Sequence, residues 1–179
     1  MIDLPSSPTR ITPAFGKQYI KRSLQECLTA RKFGQEDKEA TVRFFERWEP
    51  QPACVFCGSR EVTRWDHLIA VSKFGLTALG NLVPACGTCD DSKGNRPFAE
   101  WMRGTAAKSP ATRRVPDVEE RIERIQSFMA DHGARPVPFE ERLTEVELRE
   151  LHEIDLVLEG IYVRANRLID DYRRRTGAA

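Results

Sequence analysis

Between residues 54 and 90 the chain gathers side chains of two unlike chemistries. Cys54-x-x-Cys57 and Cys86-x-x-Cys89 supply four soft sulfur donors, while Asp66-His67, Asn81 and Asp90 supply an imidazole, an amide and two carboxylates. Each cysteine pair wraps one side of an ion, and four thiolates form the tetrahedral cage that zinc favours. Such a cage leaves no coordination position open, so a zinc held there is structural. The harder groups suit a different task. Breaking a phosphodiester needs an activated water, neutralised phosphoryl oxygens and a stabilised leaving alkoxide. A neutral imidazole, with an unperturbed pKa near ~6.5, is a usable base for the first. A hard cation such as Mg²⁺ or Mn²⁺, held by carboxylates, suits the other two.

The elements that must position these groups follow from local pattern. The 28 residues between Cys57 and Cys86 exceed what a minimal zinc ribbon needs. Apolar and β-branched residues around Val62–Val71 and at Leu82–Ala85 predict two short strands, joined by a loop that holds Gly75 and Gly80. The segment from Asp90 to Met102 reads as a helix whose start is made irregular by Gly94 and Pro97. Neighbouring residues on a strand face opposite ways, so a bulge or a twist at the strand end is expected to bring Asp66 and His67 to one groove. Trp65, Glu100 and Trp101 read as packing residues.

The flanks read as helical. Apolar spacing predicts a helix over Ala14–Phe33 closed by Gly34, with Cys27 as an inert core residue on its apolar side, and a second over Asp37–Trp48 stopped by Pro50 and Pro52. Asp117 and Glu120 suggest a capped helix that ends near Gly133, and Thr144-x-x-Glu147 is a capping box at the head of a long last helix. Along that helix Leu151, Ile154, Leu158, Ile161, Ala165, Leu168 and Tyr172 repeat at 3-4 spacing, which would suit a homodimer through the C-terminal helix. Leu156, Val157 and Val163 widen the stripe and Gly160 weakens the helix, so packing within the monomer is the expected use. The expected organisation is an arm with helices at 1–52, the knuckle segment at 53–103, a linker at 104–116 and a helical region at 117–179. The fold class is mainly helical α+β.

Charge is uneven along the chain. The net +1 conceals 18 Lys and Arg against 12 Asp and Glu over residues 1–115, and 7 against 15 over residues 116–172. A polyanion is therefore expected against the front half, where Arg10, Lys17, Lys21, Arg22, Arg31 and Lys32 form a basic group. Lys93, Asn95 and Arg96 stand at the start of the expected helix after the knuckle, where they could meet phosphates. Five cysteines, four of them at metal-ligand spacing, argue against a secreted disulfide framework and for a reducing compartment. With no leader pattern and no apolar run of membrane-spanning length, the expectation is a cytoplasmic protein with no membrane partner.

The run Trp65-Asp66-His67-Leu68-Ile69-Ala70-Val71-Ser72-Lys73, followed by Asn81-Leu82-Val83-Pro84-Ala85-Cys86-Gly87-Thr88-Cys89-Asp90-Asp91-Ser92-Lys93-Gly94, resembles the HNH endonuclease family. The resemblance covers residues 54 to about 102. It implies a ββα-metal finger held by zinc on the four cysteines, and hydrolysis of DNA that leaves 5′-phosphate and 3′-hydroxyl ends. It further implies His67 as the general base, Asp66 as a ligand of the catalytic divalent cation, and Asn81 as the residue that orients the loop and the histidine. The family's third signature position, usually His or Asn, is Asp90 here, with Asp91 and Asn95 as alternatives for completing the metal site. A non-catalytic zinc module that binds DNA or a protein partner is the alternative from a different class, and RNA is an alternative substrate.

Overall fold

The computed structural model describes residues 12–28 and 33–177. The chain divides into two compact units, one drawn from residues 1–24 and 143–179 and the other from 25–142. Ile122, Ile125 and Phe128 join the same buried cluster as the knuckle residues. The structure is mainly helical α+β, with one two-stranded sheet among the described residues.

In the first unit, the N-terminal part of α1 (Pro13–Cys27) meets α6 (Glu145–Thr176). Lys17 pairs with Glu159 at 2.8 Å and Lys21 with Asp155 at 3.0 Å, so two cations of the basic group serve helix association. Arg10, Arg31 and Lys32 lie outside the described residues. The capping box forms at the head of α6: Glu147 N donates to Thr144 Oγ1, and Thr144 N donates to Glu147 Oε2. At the other end Gly177 takes the left-handed conformation that closes many helices.

The second unit carries the chemistry-bearing residues. It contains α2 (Gln35–Phe45), β1 (Arg64–His67), β2 (Leu82–Ala85), α3 (Gly87–Lys93), α4 (Phe98–Arg103) and α5 (Val118–Asp131). Its core joins Phe44, Phe56, Val83, Trp101, Ile122 and Phe128 with Cys54, Cys86 and Cys89. Phe56 meets the Trp101 ring edge-on at 5.3 Å, which locks the first knuckle onto α4.

Three local expectations are corrected. Gly34 does not close α1, which stops at Cys27; it precedes α2, and its N–H donates to Asp37 Oδ2 at 2.9 Å. Cys27 is exposed in the last turn of α1 and does not belong to the core. Asp117 occupies the N-cap position of α5 with φ of 58°, and its side chain makes no cap hydrogen bond, because an N-cap needs an extended backbone to turn its carboxylate back over the helix end.

Candidate active site and metal centre

The four cysteines converge, with their sulfur atoms all within 4.8 Å of one another. Cys57 Sγ and Cys86 Sγ are 3.8 Å apart. A tetrahedron with Zn–S bonds of about 2.3 Å has edges of about 3.8 Å, so the donor set and its spacing fit zinc. Local geometry explains the convergence. The first knuckle turns back on itself through hydrogen bonds from Cys57 N and Gly58 N to Cys54 O. The second repeats the device, with Cys89 N and Asp90 N donating to Cys86 O as α3 begins. Neighbouring thiols hydrogen-bond to Cys57 and pull its pKa down, whereas hydrogen bonding with Cys57 pushes Cys54 up to about 12. Arg113, from the stretch expected to be a linker, donates to Cys89 Sγ at 3.0 Å. A guanidinium there offsets the surplus negative charge of four thiolates on a divalent ion.

The strands that carry the second site pair without interruption: Arg64 faces Ala85, Asp66 faces Val83 and His67 faces Leu82. No bulge separates Asp66 from His67, so the first of the two devices expected, a bulge or a twist at the strand end, is absent. His67 is instead the last residue of β1, where the chain leaves the ladder for the loop. Its Nε2 lies 3.0 Å from Thr77 Oγ1, a contact that holds the ring against that loop.

Asn81 fastens the same loop. Its Oδ1 accepts from Ile69 N at 2.7 Å, and its Nδ2 donates to Ile69 O at 3.0 Å and Leu76 O at 2.8 Å. Three hydrogen bonds from one buried amide make the turn after β1 a fixed structure. Gly75 is required by close approach, since a Cβ there would stand 1.8 Å from Ile69 O and 2.9 Å from Asn81 Nδ2.

Asp66 is buried, and so is Lys93 from the last turn of α3. The Lys93 ammonium donates to Asp66 Oδ1 at 3.2 Å, to His67 O at 2.6 Å and to Gly94 O at 3.2 Å. Asp66 Oδ2 lies 3.1 Å from the same ammonium but accepts no hydrogen bond. Burial raises the Asp66 pKa to about 6; Lys93 opposes the rise and the nearby Asp90 carboxyl adds to it. Asp90 and Asp91 share the guanidinium of Arg64, at 2.7 Å and 2.5 Å. A buried carboxylate oxygen without a hydrogen bond, close to a second carboxylate at the surface, is a donor set that fits a hard divalent cation.

The structure therefore gathers Asp66, Asp90 and Lys93 at the β1–α3 junction, and His67 with Asn81 at the loop that follows β1. The expected single helix over Asp90–Met102 is two helices, α3 and α4, separated at Gly94–Pro97. Asn95 and Arg96 are exposed in that break, past the end of α3 and just ahead of Pro97, the N-cap residue of the short helix α4. Arg96 Nη2 donates to Ser92 O and Arg96 Nε to Lys93 O, closing the end of α3. Sequence reasoning missed Arg64, Thr77 and Arg113. Period-two alternation would have found Arg64, which shares a strand face with Asp66; Thr77 and Arg113 are brought in by tertiary folding and carry no local signal.

A paired strand unit, a helix supplying carboxylates and a cluster of four cysteine sulfurs spaced to hold a metal lie together in one unit. The family model of the HNH endonucleases matches residues 54–96. The chain is also 33% identical over 90 residues to the CRISPR-associated endonuclease Cas9 of Corynebacterium diphtheriae (strain ATCC 700971 / NCTC 13129 / Biotype gravis). That match covers 48% of this chain but only 8% of the Cas9 protein. No solved structure matches. No helix among the described residues is long and apolar enough to cross a membrane.

Proposed function

We propose that this chain is a metal-dependent HNH endonuclease that hydrolyses DNA phosphodiester bonds, with double-stranded DNA as substrate. The observation that carries the reading is the buried Asp66 carboxylate near Asp90, its Oδ2 ion-paired with Lys93 but accepting no hydrogen bond, inside the segment that matches the family. The order β1, β2, α3 is that of a ββα-metal finger, and the thiolate cage ties its two ends together. Asp66 and Asp90 would hold Mg²⁺ or Mn²⁺, which when bound neutralises phosphoryl charge and stabilises the leaving 3′ oxygen.

The remaining steps belong to the chain's own residues. His67 accepts the proton of the attacking water, and the Thr77 hydroxyl keeps its ring oriented. Asn81 keeps the loop that carries Thr77 in place. Lys93 fixes the Asp66 carboxylate from the protein side, so its role is positioning the ligand and not gripping phosphate. Arg64 holds Asp90 through an ion pair open to solvent, an interaction weak enough for a cation to displace. Asn95 and Arg96, exposed in the break after α3, are placed to meet the DNA backbone. The reduced thiols suit a cytoplasmic setting.

The test is incubation of supercoiled plasmid with the purified protein, with and without Mg²⁺ or Mn²⁺. Metal-dependent conversion to nicked or linear DNA bearing 5′-phosphates supports the proposal. Retarded but uncut plasmid under every condition would favour the alternative of a non-catalytic zinc module; cleavage of RNA but not DNA would move the substrate to RNA.

A further inference from the structure

Helix α6 is 32 residues long and presents more apolar surface than its own unit covers. Leu158 is buried, and the ion pairs from Lys17 and Lys21 lie to that side of the helix. On the adjoining side Val157, Ile161, Leu168 and Tyr172 are each more than half exposed. Their spacing of four, seven and four residues places them in one stripe along the helix.

Two further features give that stripe an orientation and a midpoint. From Glu145 to Glu159 the helix carries six carboxylates and one arginine, whereas from Ile161 to Thr176 it carries five arginines and two aspartates. The charges change sign at Gly160. This glycine sits in the middle of a continuous helix, where alanine would be more favourable. Among the described residues nothing lies within 4 Å of where its Cβ would be, so none of their contacts requires it.

We propose that α6 pairs antiparallel with the α6 of a second copy of this chain, the two helices crossing at Gly160. In that arrangement Glu153, seven residues before the crossing, meets the partner's Arg167, seven residues after it. The missing side chain at residue 160 lets the backbones approach where they cross, and Val157, Ile161 and Leu168 close the seam on either side. A parallel pair would instead set the acidic halves against each other, so charge selects the antiparallel one. The two-fold axis makes the interface self-complementary.

The experiment is sedimentation analysis of the full chain over a wide concentration range, with circular dichroism to confirm folding. Wild type is expected to sediment at twice the 20.4 kDa chain mass. Glu153→Arg alone and Arg167→Glu alone should each dimerise at least about tenfold more weakly, because each sets like charges face to face. An equal mixture of the two variants should restore the dimer, since it recreates opposite charges at both contacts. Gly160→Leu should raise helicity yet weaken dimerisation. Wild type that stays monomeric throughout, or charge-reversed variants that dimerise as wild type does, would overturn the proposal, as would a mixture that fails to recover. The readout is mass, so its failure is distinct from failure of the nuclease reading.

Discussion

The ammonium of Lys93 lies 3.1 Å from Asp66 Oδ2, with both side chains almost fully withdrawn from water. The lysine comes from the end of α3 and the aspartate from the middle of β1, so the pair pins the helix to the strand at the candidate cation site. Two further carbonyl acceptors satisfy the ammonium, which is how a charged lysine is tolerated in the interior.

Removing one member of a buried pair strands the other. Lys93→Met is expected to destabilise the protein by about 3 kcal/mol, whereas the double variant Lys93→Met with Asp66→Asn should recover most of that loss. Urea midpoints at constant m-value measure it. A single variant within about 0.5 kcal/mol of wild type would mean that the pair does not hold the helix.

Asp66 should titrate near 6 in the protein without added divalent cation, in place of the ordinary 3.8. Because the folded-state value is raised, the unfolded chain loses this proton first as pH rises. The contribution to stability is thus fully present below about pH 4 and is lost as pH climbs to about 6, a change of about 3 kcal/mol for two pKa units. Carbon-13 titration of the Asp66 carboxyl gives the midpoint directly. A midpoint near the ordinary value would contradict the desolvated environment.

Stripping the zinc, or Cys54→Ser, should unfold the 25–142 unit, since three of the four cysteines belong to its core. Arg113→Ala is expected to leave the fold intact while weakening metal affinity by about 10- to 100-fold, the usual cost of losing an outer partner of a metal ligand. Zinc release to a chromogenic chelator follows both effects. Unchanged release from Arg113→Ala would show that its contact with Cys89 Sγ is incidental.

Gly75→Ala should displace the loop after β1, because its methyl group would overlap the Ile69 carbonyl and the Asn81 amide. Asn81→Ala removes three hydrogen bonds at the same turn and should cost about 2–3 kcal/mol. Both variants are expected to keep their zinc and lose DNA cleavage. Hydrogen exchange at residues 68–77 reports the loop, and protection equal to wild type would refute the role given to Asn81.

What was legible in the sequence was set by short-range rules. The strand Leu82–Ala85 and the Thr144 capping box depend on neighbours within a few residues, and both appear where pattern placed them. The metal knuckles were equally plain, because Cys-x-x-Cys dictates its own turn. Burial of Lys93 was not legible: a lysine beside glycine reads as a solvated helix end, and only the strand beneath it supplies the Asp66 carboxylate and the His67 carbonyl that make burial tolerable. Arg113 escaped for the same reason, since nothing within the polar stretch 109–116 signals a thiolate cage across the fold. Gly34 was ambiguous because glycine serves either end of a helix, and the Asp37 carboxylate settled which.

The central claim is that His67 performs chemistry while the thiolate cage only holds shape. The direct measurement is the plasmid cleavage rate of His67→Ala beside wild type, with zinc content and circular dichroism taken from the same preparations. The account predicts a fully zinc-loaded, folded variant whose cleavage falls by at least about 100-fold, as expected for loss of a general base. A folded His67→Ala protein that cuts at the wild-type rate would contradict it.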